Sequence, residues 1–265
     1  MNILLHDFGS YIQPDLINHL TKMGHHCKNL VYPRPNPVED DYFEKYVTAH
    51  LKTGVYDCVI STNFHPLLAR ICCQCNIKYL AWSYDSPISK DHPEYFSHPT
   101  SYVFLFDSTE VQEFHDMGLH NVYHLPLAVD TKRLSAIPIT DADRKRFSCE
   151  VSFVGRLYQS KLNNILSHQD DYTIGYINAL TDAQFKLVGF PLLDDVIDDA
   201  ILCRINNALN KQGIVYHSGE EKGINKAALS LCITNQITHN ERIILLRLLN
   251  HFCDVHLYSD ERSEQ

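Results

Sequence analysis

The stretch 101–130 restricts the possible folds of this chain more than any other part of the sequence. It opens with the apolar run 102–106, which has the length and composition of a buried strand. Asp107 then provides a residue type that caps helices, and residues 109–117 place apolar side chains at helical spacing. A second apolar strand follows at 121–125. The pattern predicts a strand, a helix and a parallel strand, which is the repeating unit of an α/β domain.

The first hundred residues repeat this alternation of strand and helix. Three prolines within 32–37 predict an extended loop, and residues 83–100 are predicted as a second loop. In total six strands alternate with helices, so the sequence predicts a Rossmann-like, doubly wound parallel sheet over 1–135. Ligands of such sheets bind outside the carboxyl ends of the strands. The further predicted strands are 2–6, 27–31, 57–60 and 78–82, and the predicted helices are 11–22, 39–51 and 66–74.

Beyond the first domain the pattern changes. Residues 136–148 predict a linker, and a mostly helical second domain is predicted over 149–265. Its two strands, 150–154 and 254–258, give a sheet too small to stand alone, which predicts an incomplete α/β domain in a truncated chain. The helices predicted in this half of the chain are 140–146, 161–168, 171–183, 194–211, 222–233 and 240–252.

Composition and charge argue against several classes of protein. The chain has 45% hydrophobic and 21% charged residues, and its apolar runs stay below the roughly 20 residues that cross a bilayer. A formal charge of −9 argues against a nucleic-acid-binding surface. Nine cysteines without a regular spacing, and no basic lead before the first strand, predict a cytoplasmic protein with reduced thiols. Cys72 and Cys73 point to different faces of a predicted helix, which argues against a structural metal site.

Three predicted strand ends in the first domain carry polar side chains. His6 and Asp7 follow the first strand, where they can supply a general base, although a histidine at a strand end is more often a packed and satisfied side chain. Asp85 follows the fourth strand beside the single tryptophan, where it either accepts backbone hydrogen bonds or faces a substrate. These three are the catalytic candidates. These loops offer four further candidate binding residues, Gly9, Ser83, Tyr84 and Asp107, of which Asp107 can equally be a helix cap and Gly9 a turn residue.

The first strand of the second domain leads into a candidate phosphate site. It ends in Gly155 and Arg156, and Lys161 opens the next predicted helix. A glycine lets the backbone approach a ligand, an arginine can grip a phosphate oxygen with two donors, and a helix N-terminus favours anions. The pattern is typical of diphosphate binding, and the alternative is a surface turn with two solvated cations. Residues 218–223 form another candidate loop, which is expected to join two helices.

Four stretches of the chain resemble a known family: 81–87, 104–108, 121–130 and 152–156. In them the chain is similar to bacterial glycosyltransferase-like proteins of the spore-maturation CgeB type. The resemblance covers the middle third of the chain. It implies the architecture called GT-B, which is built from two Rossmann-like domains.

The resemblance also implies a reaction and its binding residues. In related enzymes a Gly-Arg-Leu strand end followed by lysine holds the diphosphate of a nucleotide-sugar, which maps onto Gly155, Arg156 and Lys161, although Leu162 stands where the family usually has glycine. The acceptor would lie against the loops of the first domain, and its hydroxyl would attack the anomeric carbon of the sugar. The reaction so implied uses no cofactor and no obligatory metal.

Three hypotheses about function follow from the sequence. The first is the N-terminal portion of a GT-B glycosyltransferase whose partners are a nucleotide-sugar and an unknown acceptor, with a 265-residue chain that does not turn over alone. The second is a non-catalytic Rossmann-like module that binds a ligand or another protein. The third is a part of an assembly, in which the helical segment 160–252 makes the contacts.

Overall fold

The computed structural model describes residues 1–32, 36, 39–90, 92–218 and 221–260. The chain divides into two compact units, Met1–Pro138 and Ile139–Gln265. The division lies inside the segment that the sequence predicts as a linker. Most of the proline-rich segment predicted as an extended loop lies outside the described residues.

The first unit is built on a six-stranded parallel sheet. Its strand order is β2-β1-β3-β4-β5-β6, and helices connect the successive strands. The prediction of a Rossmann-like α/β fold is therefore confirmed. The strands are β1 (Asn2–Asp7), β2 (His26–Val31), β3 (Cys58–Thr62), β4 (Lys78–Trp82), β5 (Ser101–Leu105) and β6 (Val122–His124), and the helices are α1 (Gln13–Lys22), α2 (Asp41–Leu51), α3 (Pro66–Gln74), α4 (Pro93–Phe96), α5 (Ser108–Asp116) and α6 (Thr131–Ser135).

The strand order places a topological switch point between β1 and β3. Leu5 of β1 lies opposite Asn29 of β2 on one side and Ile60 of β3 on the other. From β1 the chain first adds β2 on one side of β1, and then adds β3 and the later strands on its other side. Ligands of open α/β sheets bind in the crevice at the carboxyl ends of the strands at such a point.

The helices on the two faces of the sheet bound this crevice. Side chains alternate along a strand, so Leu4 and Val59 belong to one buried cluster and Ile3 and Leu5 to another. Helices α2 and α3 pack on the first face, and α1 packs on the second. The helical side chains that do so are Phe43, Val47, Leu51, Leu67, Leu68 and Ile71 on the first face, and Leu16, Ile17 and Leu20 on the second.

Two short helices of the first unit were missed by the sequence analysis. Residues 83–100 were predicted as a loop, but they contain α4, because Phe96 is fully buried and stacks on Phe64 with ring centroids 4.0 Å apart. Helix α6 follows β6, and the Asp130 carboxylate caps it by accepting a hydrogen bond from the Arg133 amide at 2.9 Å.

The second unit is mostly helical and contains a parallel pair of strands. Leu257 of β10 lies opposite Phe153 of β7. The elements of this unit are α7 (Asp141–Phe147), β7 (Val151–Val154), α8 (Leu162–Leu166), α9 (Asp171–Lys186), α10 (Leu193–Val196), α11 (Asp199–Lys211), β8 (His217–Ser218), β9 (Glu221–Lys222), α12 (Lys226–Asn250) and β10 (Val255–Tyr258). No helix among the described residues is both long enough and apolar enough to span a bilayer.

Two predicted features of the second unit were wrong. The helix predicted over 194–211 is two helices, because Asp198 caps α11 by accepting from the Ile201 amide. The two helices predicted over 222–233 and 240–252 are one helix, α12, whose buried residues Leu229, Ile233 and Ile237 keep helical spacing through a polar stretch. The segment 218–223 lies between α11 and α12, as the sequence predicted, and Ser218 of β8 pairs there with Glu221 of β9.

Candidate functional site

Two histidines meet at the carboxyl ends of β1 and β3. His6 is fully buried near the end of β1, and His65 precedes α3. Their ring centroids lie 5.2 Å apart. The Phe43 ring packs on His6 at 5.1 Å, and the half-buried Phe8 ring lies 4.4 Å from that of His65. The pair therefore occupies the crevice at the switch point, between aromatic walls.

Burial keeps both imidazoles neutral. It lowers the pKa of His6 to about 4, against smaller opposing effects of the Leu30 backbone and the Asp7 carboxylate. It lowers the pKa of His65 to about 3, and the nearby His6 adds to the shift. Near neutral pH each ring therefore carries one donor and one acceptor nitrogen and no charge.

Several of the buried polar side-chain atoms that lack a hydrogen-bond partner among the described residues lie at this edge of the sheet. We call three of the residues that bear them the polar edge: His6, His65 and Ser83, which share the sheet face on which α2 and α3 pack. The atoms concerned are both ring nitrogens of His6, Nε2 of His65 and Oγ of Ser83. Since protein interiors pair the great majority of such groups, their concentration at a switch point marks a candidate binding site.

Asp7 does not act together with His6. Alternation along β1 directs the two side chains to opposite faces of the sheet. The Asp7 carboxylate accepts hydrogen bonds from the Gly9 amide and from Asn29 Nδ2, both at 2.9 Å. Gly9 has a φ of +95°, which only glycine adopts easily. Asp7 thus fixes the turn after β1, and His6 remains as the crevice side chain of the predicted pair.

Asp85 is held by a residue that the sequence analysis missed. Asn63, with a φ of +68°, donates from Nδ2 to the Asp85 carboxylate at 2.7 Å. Its Oδ1 accepts from the Tyr84 amide at 3.0 Å. The Asp85 side chain is exposed, whereas Ser83 is buried beside it at the end of β4. The signal for this role was the asparagine that follows β3, since asparagine tolerates the left-handed conformation.

Asp107 is a helix cap, one of the two roles that the sequence left open for it. Its carboxylate accepts from the amides of Thr109 at 2.8 Å and of Glu110 at 3.3 Å. The neighbouring Glu110 is 5% exposed and accepts from the Ile88 amide at 2.7 Å and from Ser86 Oγ at 3.0 Å. Glu110 therefore ties the loop after β4 to α5, and sequence reasoning did not identify it.

In the second unit, the loop 155–160 at the carboxyl end of β7 has two unusual backbone conformations. Gly155 has a φ of +155° and Tyr158 a φ of +58°, a left-handed conformation that is uncommon outside glycine. The Arg156 side chain is 69% exposed, and its nearest recorded ion-pair contact is to Asp260 at 3.5 Å. Its guanidinium is therefore accessible at the strand end.

Helix α12 holds this loop at three points. Arg242 donates to the Arg156 carbonyl oxygen, and its guanidinium lies 4.6 Å from the centre of the Tyr158 ring. His239 Nδ1 lies 3.0 Å from the Leu157 carbonyl oxygen, and Ser160 Oγ donates to the Cys232 carbonyl at 2.6 Å. Arg242 thus brings a second guanidinium to the strand end. The sequence analysis missed it, because α12 reaches the loop only through the tertiary fold.

Lys161 lies beyond this loop. It is exposed and precedes α8, which has five residues and therefore offers only a weak helix dipole to an anion. Beside the loop lies a cavity of about 660 Å³. Most of its lining is polar and includes Gln159, Ser160, Asp182, Gln236, His239 and Arg247.

All nine cysteines are free thiols. Among the described residues, no three His, Cys, Asp or Glu side chains are grouped so that they could hold a metal ion.

Comparison of the chain with protein-family models, with curated proteins and with solved structures finds no match.

Proposed function

We propose that this chain is part of a glycosyltransferase that takes its sugar from a nucleotide-sugar, with the donor diphosphate at the end of β7. The observation that carries the proposal is the presence of two arginines at one strand end where Gly155 has a positive φ: Arg156, whose side chain is exposed, and Arg242, which donates to the Arg156 carbonyl oxygen. Arginine binds phosphate oxygens with paired donors, and a glycine backbone permits close approach. Lys161 and the adjoining polar cavity extend the same surface.

In this proposal the first unit holds the acceptor. The acceptor oxygen forms a bond to the anomeric carbon while the bond from that carbon to the diphosphate breaks. The electron pair of the broken bond leaves with the nucleoside diphosphate, whose negative charge is stabilised by Arg156 and Arg242. The acceptor proton passes to a base or to solvent.

The nine free thiols further support a cytoplasmic location.

Calorimetric titration of the full chain with UDP, GDP, UDP-glucose and GDP-mannose tests the donor site. We expect saturable binding of a diphosphate, weakened at least tenfold in Arg156→Ala and in Arg242→Ala because each removes a cation from the phosphate. Arg144→Ala, an exposed arginine of α7, is the matched control and should bind as the unaltered chain does. Absence of binding to all four probes, or equal binding by all variants, would refute the proposed site.

The alternative function is a ligand-binding module without catalysis. It is favoured by the roles of the predicted catalytic carboxylates, because Asp7 accepts hydrogen bonds that fix a turn and Asp85 is bonded to Asn63. The two functions differ in their ligand. Saturable binding of UDP-glucose or GDP-mannose that Arg156→Ala abolishes supports the donor site of a transferase, whereas binding of none of the four probes favours the module.

A further inference from the structure

The polar edge requires a partner that the described chain does not provide. His6 and Ser83 are fully buried, yet the polar side-chain atoms of both lack a hydrogen-bond partner among the described residues. A buried polar group left unpaired costs about 1–3 kcal/mol, so a fold that gathers several of them at one edge is less stable than one with apolar side chains there. A stability cost of this kind is expected where the groups serve binding.

The chemistry of the polar edge suits a neutral, hydroxyl-rich ligand. Its imidazoles are uncharged, and the charged side chains that flank it, Asp7 and Asp85, are carboxylates. An anion would therefore meet two charges of its own sign. The Ser83 hydroxyl and the imidazoles each donate and accept, as the hydroxyls of a sugar do.

A series of aromatic ring contacts runs from the polar edge to the protein surface. From His6 it passes to Phe43 at 5.1 Å and then to Tyr32 at 4.8 Å. It continues along one side of α2, where the planes of Tyr42 and Tyr46 are 15° apart and their centroids 6.3 Å apart. We call Tyr32, Tyr42, Tyr46 and His50 the tyrosine row; its members are linked by centroid distances of 6.0, 6.3 and 4.8 Å.

The tyrosine row is unusual because its rings are accessible. Tyr42 is 70% exposed and Tyr46 is 36% exposed. Exposed tyrosines provide large, rigid contact areas whose hydroxyls remain hydrated, which is why they recur at binding surfaces. The C–H faces of sugar rings pack well on such aromatic planes, and the spacing of one helical turn between Tyr42 and Tyr46 places two rings side by side.

We propose that the polar edge and the tyrosine row form one binding site for an oligosaccharide. Its terminal sugar makes hydrogen bonds to the polar edge, and the following sugars pack along the tyrosine row. The inference rests on the proposed function, because it names the class of acceptor that receives the transferred sugar. Phe8 lies over both imidazoles, so the terminal sugar enters when the Phe8 ring moves aside on the turn at Gly9.

The single tryptophan provides a direct test. Trp82 ends β4, one residue before Ser83, so its fluorescence reports on the polar edge. The full chain is titrated with maltopentaose, cellopentaose and chitopentaose. We expect saturable binding of at least one of them, weakened at least tenfold by Tyr42→Ala and by Ser83→Ala. Tyr172→Ala, which removes a 65% exposed tyrosine from α9 of the second unit, is the control and should leave the affinity unchanged.

Stability separates a binding role from a structural one. Ser83→Ala should unfold at the same or a higher temperature than the unaltered chain, because it removes an unpaired hydroxyl. Ser61→Ala should unfold at a lower temperature, since Ser61 Oγ lies 2.6 Å from both the Tyr79 hydroxyl and the Asn63 carbonyl oxygen. If none of the three pentasaccharides binds, or if Ser83→Ala destabilises as much as Ser61→Ala, the oligosaccharide site is wrong.

Failure of this inference is distinguishable from failure of the donor site. Arg156→Ala should lose nucleotide binding and keep pentasaccharide binding. Ser83→Ala should keep nucleotide binding and lose that of the pentasaccharide. If the nucleotide binds as proposed but the pentasaccharides do not, the acceptor class alone is refuted.

Discussion

At the residue scale, the buried pair His6 and His65 couples the stability of the first unit to pH. In the folded chain burial lowers the two pKa values to about 4 and about 3, whereas an unfolded histidine titrates near 6.5. Below pH 6.5 the unfolded chain therefore binds more protons than the folded chain does, and the free energy of unfolding falls as the pH decreases. The same burial that makes the rings suitable for a neutral ligand makes the fold sensitive to acid.

We expect the free energy of unfolding to fall by about 2 kcal/mol for each of these histidines between pH 7.5 and pH 5.0. Urea unfolding followed by Trp82 fluorescence measures this. His65→Leu should remove about 2 kcal/mol of the pH dependence, and the same substitution at the exposed His26 is the control. A free energy of unfolding that is constant over this range would contradict the assignment of the pair as buried and neutral. His98, whose pKa burial also lowers, adds to the pH dependence in the same direction, whereas the carboxylates with lowered pKa, such as Asp130 and Asp170, titrate below this range.

At the element scale, helices hold the functional loops through single polar side chains. Helix α5 fixes the loop after β4 through Glu110, and α12 fixes the loop after β7 through Arg242 and His239. The helices pack on their own cores, so these side chains transfer the rigidity of the core to the loops. A site on a loop gains its geometry in this way.

Glu110→Ala should destabilise the first unit by about 2 kcal/mol, because it leaves the Ile88 amide and the Ser86 hydroxyl without their acceptor. Glu113→Ala is the matched control on the same helix. Its carboxylate forms an ion pair with Lys90 but is 54% exposed, and such pairs contribute less than about 1 kcal/mol. Thermal unfolding of the two variants makes the comparison. Equal destabilisation would show that Glu110 contributes no more than a surface charge.

The elements that the sequence predicted well are those whose signal is local. Helix α3 and strand β4 begin and end where the sequence predicted, because Pro66 opens the helix and the apolar run 78–82 has a polar residue at each end. Helix α12 was predicted as two helices, since the stretch 234–239 is polar and its helicity depends on Ile233 and Ile237 packing in the core. Tertiary contacts decide such segments.

For the candidate sites, too, residues with a local sequence signal were predicted and residues that depend on tertiary contacts were not. The strand ends that carry His6 and Gly155 were predicted, because strand ends can be read from apolar runs. His65, Asn63, Glu110 and Arg242 were not, because each reaches its site from another element and no local pattern connects the two. The tyrosine row was also missed. Tyr42 and Tyr46 are one helical turn apart in the sequence, but Tyr32 joins them only when β2 and α2 are packed on the sheet.

At the scale of the whole molecule, the chain contains separate hydrophobic cores. The buried clusters around Val59 and around Leu5 draw their residues from the first unit, and the cluster around Ile233 draws its residues from the second. Cooperative unfolding depends on shared packing, so units with separate cores unfold as separate transitions unless another interaction couples them. The second unit also leaves Ile244, Leu245 and Leu248 of α12 more than half exposed, which reduces the apolar area that stabilises it.

Two spectroscopic probes distinguish these units in the full chain. Trp82 is the single tryptophan and lies in the first unit, whereas the three longest of the described helices, α9, α11 and α12, lie in the second and dominate the circular dichroism at 222 nm. We expect the dichroism to change at a lower urea concentration than the Trp82 fluorescence. Ile233→Ala should lower the midpoint of the dichroism transition alone, and Ile71→Ala that of the fluorescence transition, each by the equivalent of about 2–5 kcal/mol because both side chains are fully buried. Coincident transitions that both substitutions shift together would mean that the two cores unfold as one.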